Sequence, residues 1–372
     1  MSTTPLAGLT VIEFTHMVMG PAAGGILAAL GAEVIRVEPP GGDPTRNLIG
    51  SGAGYYPMYN RHKASVCLDL KVTADIAVAR DLIASADVLI ENFRPGALDR
   101  LGLGYEAMAA VNPRLIYCAL KGFLPGPYES RTALDEVAQM MGGLAYMTGP
   151  PGQPLRAGAS VIDVTGGMFG VIAILSAVEE RHRTGRGSHV AASLFETTAY
   201  LVGQHMAQFA VTGHAAAPMP ARISAWAIYD VFATRDEPVF IGVVSDAQWP
   251  VFCRLFGLAD LAADASLSRN NDRVRARDRI VPAARATIAV LTRAEVEARL
   301  DGSGLPFAPI RRPEDLFDDP HLLAGGLEAV TLPDGRATEL PALPVSFNGD
   351  RPVQPARLVA AGVDEKRSFA PR

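Results

Sequence analysis

Residues 10–38 read TVIEFTHMVMGPAAGGILAALGAEVIRVE, and the fold follows from how this stretch divides. Thr10–Phe14 has the apolar run of a buried strand, and 33–37 (EVIRV) has the same character. Between them Gly20-Pro21 opens a small-residue helical segment that closes at Gly31. A strand, a glycine turn, a helix and a second strand in so short a span form a βαβ unit, which requires a parallel sheet. Glu38 stands where a dinucleotide-binding fold holds a ribose hydroxyl. The phosphate fingerprint GxGxxG is absent, however, and GPAAGG stands in its place, so a nicotinamide site is the weaker alternative.

The pattern repeats downstream. Residues 65–70 (SVCLDL), 88–90 and 115–120 are strand-like, and 74–86 carries apolar residues at helical spacing. The turn Glu91-Asn92-Phe93-Arg94-Pro95-Gly96 follows one strand, and the loop GFLPGPYESRT (122–132) follows another. Such alternation predicts a doubly wound α/β layer whose ligands lie beyond the carboxyl ends of its strands. His16, Arg36, Lys71, Asn92 and Lys121 all fall at those ends.

A second stretch, LRAGASVIDVTGGMFG (155–170), sets Asp163 ahead of a glycine pair and an apolar segment. That is how a buried helix begins. At such a start the first-turn N–H groups and the helix dipole would hold the Asp163 carboxylate ionised. The simpler reading makes Asp163 an N-cap. After this helix, TGRG turns into a strand and a long apolar helix, and HAAAPMPAR (214–222) reads as a linker. A smaller α+β domain is expected from about Ile223. The expected division is a large α/β domain over 1–212 with a C-terminal return at 313–372, and a linker plus small domain over 213–312.

Composition narrows the function. The formal charge of −5 over 372 residues provides no basic footprint for nucleic acid or membrane. Cys67, Cys118 and Cys253 are far apart with no CxxC, so neither a zinc site nor a disulfide framework is expected. The N-terminus lacks the build of a signal peptide, and no run is expected to reach the ~18 apolar residues of a membrane span. A soluble, cytoplasmic protein is the expectation.

Across nearly its whole length the sequence resembles the class III CoA-transferases, the family of formyl-CoA transferases and carnitine CoA-transferases. The resemblance rests on PLAGLTVIEF, LGAEVIRVEPPGGDPTR, NRHKASVCLDLK, ADVLIENFRPGALDRLGL, GFLPGPY, RTGRGSHV, FDDPH and the segment around Asp163, all in order. It implies a Rossmann-like large domain built from both chain ends, a small α+β domain, and a homodimer of interlocked subunits. It implies an acyl-CoA donor and a carboxylic acid acceptor, with coenzyme A as substrate and product and no tightly bound cofactor or metal.

The resemblance also makes Asp163 the nucleophile. It carries CoA contacts over to Leu68, Leu70 and Lys71, to Asn92 and Phe93, and to Arg100, with His16, Val18 and Met19 lining the thioester end. Lys71 and Arg100 suit phosphates. Formyl-CoA transferases have a glutamine at the place of Val18, which points away from formate. Asp135 is a second polar group beside the nucleophile or, more simply, a helix-start aspartate, and Gly166-Gly167 are either oxyanion donors or the packing of a helix start. Arg131 and Arg156 are candidate cations for the second carboxylate of a short dicarboxylic acid such as succinate, itaconate or mesaconate. A related racemase is the main alternative, but it needs two bases and places a histidine where this chain has Leu134. A non-catalytic CoA-binding subunit is disfavoured by the presence of Asp163.

Overall fold

The chain folds as two compact units, one of residues 1–220 and 319–372 and one of residues 221–318. A computed structural model describes residues 4–222, 224–352 and 356–362; Ile223, the expected start of the small domain, and the chain end at 363–372 lie outside them.

In the first unit the elements run β1 (Thr10–Phe14), α1 (Met19–Ala29), β2 (Glu33–Glu38), α2 (Tyr55–Tyr59), β3 (Ala64–Cys67), α3 (Thr73–Ser85) and β4 (Val88–Glu91). Then come α4 (Tyr105–Val111), β5 (Ile116–Lys121), α5 (Asp135–Met141), α6 (Leu144–Thr148), α7 (Val161–Thr184), β6 (His189–Ser193), α8 (Leu194–Leu201) and α9 (Gly203–Thr212). The six strands form one sheet in the order β3-β2-β1-β4-β5-β6, and every pairing in it is parallel. Order reverses beside β1, between β2 and β4, which is the switch point where such sheets bind ligands.

Both faces of the sheet are covered, so its strands are apolar on both sides. One face carries α1 and α7 over Val11, Val34, Ile90, Cys118 and Leu120; the other carries α3 and α4 over Ile12, Ile35, Leu89 and Tyr117. α1 and α7 pack closely because small residues face each other: a Cβ on Gly167 would lie 2.7 Å from the Met19 carbonyl oxygen. By length and mean hydropathy (2.0 over its best window) α7 could cross a membrane, contrary to the sequence expectation. Its Ile162, Val171, Ile174 and Ala177 are instead part of the sheet's core. The long apolar helix expected after β6 is broken at Val202 into α8 and α9.

The C-terminal return forms a small three-stranded sheet, β10 (Leu327–Thr331) with β11 (Ala337–Pro341) and β12 (Ala356–Arg357). It is tied to the first half of the unit by Glu328, which accepts from Arg61 and lies 3.2 Å from His62. In the second unit β7 (Tyr229–Phe232), β8 (Val239–Gly242) and β9 (Phe307–Pro309) make an antiparallel sheet. Its core holds Phe232, Ile241, Trp249, Phe252, Ile280 and Val296, contributed by strands and helices alike.

Candidate active site

At the carboxyl ends of β1, β4 and β5 a pocket of about 190 Å³ opens. The β1–α1 connection supplies His16, Val18 and Met19, the turn after β4 supplies Asn92, and the end of β5 supplies Lys121. Asp135 enters from the first turn of α5 and Asp163 from the first turn of α7. Seven residues singled out in the sequence thus meet at one place. Tyr55 and Glu136 also line the pocket. Sequence reading missed both, because Tyr55 heads a helix of only five residues with no periodic signal.

The β1–α1 connection is held from two sides. The Asn92 side chain accepts the His16 N–H at 2.9 Å and donates to the His16 carbonyl at 2.8 Å. Behind it Glu13 accepts from Thr15 (2.6 Å), Arg36 (2.7 Å) and Lys63 (2.8 Å), and Lys63 donates to the Pro21 carbonyl at 2.9 Å. Between these anchors Met17 is at φ 61°, a conformation unfavourable for a residue with a Cβ. Arg36, expected at the ligand, is fully buried in this ionic frame and also donates to Asp43 and Asn60. Burial pushes Lys63 down to about 8.

Glu38 is spent in the same frame. It accepts from Arg46, Tyr56, Ser65 and the Asp43 N–H. Burial alone would raise its pKa, but these donors carry it down to about 2. No lone pair is left over for a ribose hydroxyl, which removes the support for a nicotinamide site.

Asp163 is neither an N-cap nor a carboxylate held by the helix dipole. It is the third residue of α7, and the N-cap position belongs to Ser160. The capping is done by Asp135, whose Oδ2 accepts the N–H groups of Ile162 (2.8 Å) and Asp163 (3.0 Å) from 27 and 28 residues away. Asp135 therefore occupies the positive pole that the sequence reading assigned to Asp163. Among the described residues no group donates to the Asp163 carboxylate. Burial first, and the Asp135 charge second, raise its pKa to about 7.

The expected oxyanion role of Gly166 and Gly167 fails on geometry. Both sit inside α7, where N–H groups serve the helix ladder, and both pack on Met19 and the neighbouring α1 surface. Arg156 pairs with the pocket residue Glu136, and Arg131 is exposed beside the Tyr128 ring at 5.0 Å; neither arginine lines the pocket itself. Leu68 is buried in the sheet's second core, with Leu70 and Phe93 packed against it, whereas Lys71 and Arg100 are exposed. Leu134 lines the pocket, so no imidazole stands there to act as a second base.

A site of this kind can do covalent carboxylate chemistry: a carboxylate with a raised pKa, and with no donor to it among the described residues, faces a small space. The comparisons agree in kind. Residues 6–358 match the model of CoA-transferase family III. An acetyl-CoA:oxalate CoA-transferase of Acetobacter aceti is 35% identical, over 98% of this chain and 96% of its own length. The succinyl-CoA:glutarate CoA-transferase of Mus musculus is 33% identical, over 88% of this chain and 76% of its own. Among solved structures, a CAIB/BAIF family protein from Brucella suis superposes with a TM-score of 0.85 at 33% identity, covering 97% of each chain. The chain belongs to CoA-transferase family III, a transferase enzyme for which coenzyme A is a substrate.

Proposed function

We propose that this enzyme moves CoA between carboxylic acids through a covalent intermediate on Asp163, and that its acyl group is a short dicarboxylic acid. The observation that carries the mechanism is the Asp163 carboxylate itself, in the pocket wall without a hydrogen-bond donor and with its pKa raised to about 7. An Asp163 oxygen attacks the donor's thioester carbonyl, the C–S bond breaks, and the CoA thiolate leaves a mixed anhydride behind. The thiolate then attacks the aspartyl carbonyl and releases the donor acid as its carboxylate. The resulting aspartyl-CoA thioester is opened by the acceptor carboxylate in the reverse order. No water is consumed, and one hard exchange becomes several easier ones. The raised pKa assists, because it narrows the gap between aspartate and a thiol of pKa about 8.5.

CoA is held, in this reading, along the strand ends: Leu68, Leu70, Asn92 and Phe93 beside it, and Lys71 and Arg100 on its phosphates. Binding energy from that remote part keeps the thiolate close to the anhydride. Val18 and Met19 stand at the thioester end, where α1 starts without a side-chain cap, leaving its first N–H groups for a ligand. His16 lines the same end. The dicarboxylate reading draws support from relatives named for oxalate and glutarate and from a pocket below the roughly 300 Å³ at which sites for drug-sized ligands begin. An interlocked homodimer completes the reading, supported by the apolar side chains of Ile172, Tyr200, Met206, Phe209 and Val211 that one chain leaves exposed.

Hydroxylamine added during turnover with an acyl-CoA donor tests the mechanism. A hydroxamate on Asp163, found by peptide mass spectrometry and absent from Asp163→Ala, is expected. Turnover without any such adduct rules the covalent route out.

A further inference from the structure

Gln139 is a buried polar side chain that the transfer chemistry leaves unused. It sits on α5 one turn beyond Asp135, is fully buried, and does not line the pocket. Burying an amide is unfavourable unless its polar ends are hydrogen-bonded, and here both are. Its Nε2 donates to Asp135 Oδ1, and its Oε1 accepts the Ala157 N–H at 2.9 Å. A carboxylate accepts and a backbone N–H donates, so only a side chain with both a donor and an acceptor fits between them.

These two contacts converge on the nucleophile from behind. Gln139 holds Asp135 Oδ1, and Oδ2 is turned to the N–H groups of Ile162 and Asp163. Ala157 belongs to the segment that leads into α7, and the same amide ties it down. Gln139 therefore joins α5, the lead-in to α7 and the first turn of α7 in one chain of hydrogen bonds. The Asp163 carboxylate has no donor of its own among the described residues, so its place in the pocket is set through its backbone. Glu136 beside the pair is engaged with Arg156, and the Tyr59 hydroxyl is pushed up by burial first and Asp163 next. Glu196, on the α8 helix packed against α5, is engaged with Ser193 and the Leu124 N–H.

We propose that Gln139 is a positioning residue for the nucleophile: its amide holds the Asp135 carboxylate and the lead-in to α7 so that Asp163 faces the bound acyl group. It acts through Asp135 and touches no substrate. The inference rests on the reading of Asp163 as the nucleophile and adds the group that aims it. Two replacements separate this role from mere packing. Methionine fills the space and supplies neither contact. A protonated glutamic acid donates its O–H to Asp135 and accepts the Ala157 N–H, as the amide does; once ionised, it sets a second carboxylate against Asp135.

The experiment measures kcat and KM with succinyl-CoA as donor and glutarate as acceptor, at pH values from about 6 to 9. In Gln139→Met, kcat falls roughly ten- to a hundredfold, the effect of a reacting group displaced by about 1 Å. KM for succinyl-CoA stays within about twofold of the wild type, because the lost contacts serve the reacting centre and not CoA binding. Gln139→Glu, expressed as a fraction of the wild-type rate at the same pH, is near full at pH 6. That fraction falls toward the Gln139→Met value as the new carboxyl ionises. Wild-type kcat in Gln139→Met overturns the inference, as does a loss confined to KM. So does a Gln139→Glu rate as low at pH 6 as that of Gln139→Met, since a packing defect has no such pH dependence. If Gln139→Met does not fold, the pH profile of Gln139→Glu decides alone, and a rate below a tenth of the wild type at pH 6 overturns the inference. A wild type that transfers CoA without a hydroxamate on Asp163 overturns the nucleophile reading itself, which is a separate outcome.

Discussion

Replacing Asp135 by asparagine isolates what its charge does to the nucleophile. Asp163 rises from 3.8 to about 7, with burial the larger cause and Asp135 the smaller. Asp135 therefore accounts for less than half of the rise, an upper bound of ~2 kcal/mol. Asparagine keeps an oxygen for the N–H groups of Ile162 and Asp163, so the start of α7 is preserved. Its amide must face Gln139 Nε2, which now donates to Asp135 Oδ1. Donor against donor costs about 1–3 kcal/mol of stability, so folded protein is verified by circular dichroism before kinetics.

The assay is the pH dependence of kcat/KM, which reports groups of the free enzyme. The ionised carboxylate is the nucleophile, so activity rises with pH through its pKa. The wild-type acid limb is expected near pH 7, and that of Asp135→Asn lower, by less than half of the rise and so still above the ordinary carboxylate range. At pH 6 the ionised fraction then rises above the wild-type value of about a tenth, even as the less basic carboxylate lowers the plateau. A limb that does not move would refute the electrostatic role of Asp135. A limb falling to the ordinary carboxylate range would show that charge, and not burial, governs Asp163.

Two further outcomes follow from the same geometry. Asp163→Asn is expected to stabilise the protein above pH 7: with the folded pKa above the unfolded one, the carboxylate costs nothing below pH ~4 and progressively more up to pH ~7, reaching at most ~4 kcal/mol. Denaturation midpoints of the two proteins at pH 5 and pH 8 check this, and a gain no larger at pH 8 than at pH 5 would contradict it. If the subunits interlock as proposed, the dimer persists on dilution, because chains so linked cannot part without unfolding; sedimentation of a folded monomer at low micromolar concentration would contradict it.

The βαβ unit at 10–38 and its repeats were legible because buried parallel strands carry long apolar runs and their turns carry glycine. The same logic brought His16, Asn92 and Lys121 to one end of the sheet, whereas Asp163 joined them only through the resemblance. What the sequence could not reveal is which charged group answers which. Arg36 and Lys121 both stand at strand ends, yet each answers a different carboxylate, Glu13 for one and Glu91 for the other. The partnership of Asp135 with the start of α7 spans 27 residues, and a local pattern sees only two helix-start aspartates. Arg156 looked close to the nucleophile by sequence separation, but it is paired with Glu136 and does not line the pocket. The β10–β11 hairpin was hidden in a proline-rich tail whose strands are short and half exposed.

The ionic frame of Glu13, Arg36 and Lys63 has a consequence for how new specificities arise on this scaffold. The groups that hold the β1–α1 connection lie behind it, in the interior, and make no use of the side chains of Val18, Leu134 or Lys121. Wall residues are therefore free to drift with the acid being handled while the nucleophile's surroundings stay as they are. Directed evolution toward another acyl group is best spent on those three positions, and mutations in the frame are best left out of the library.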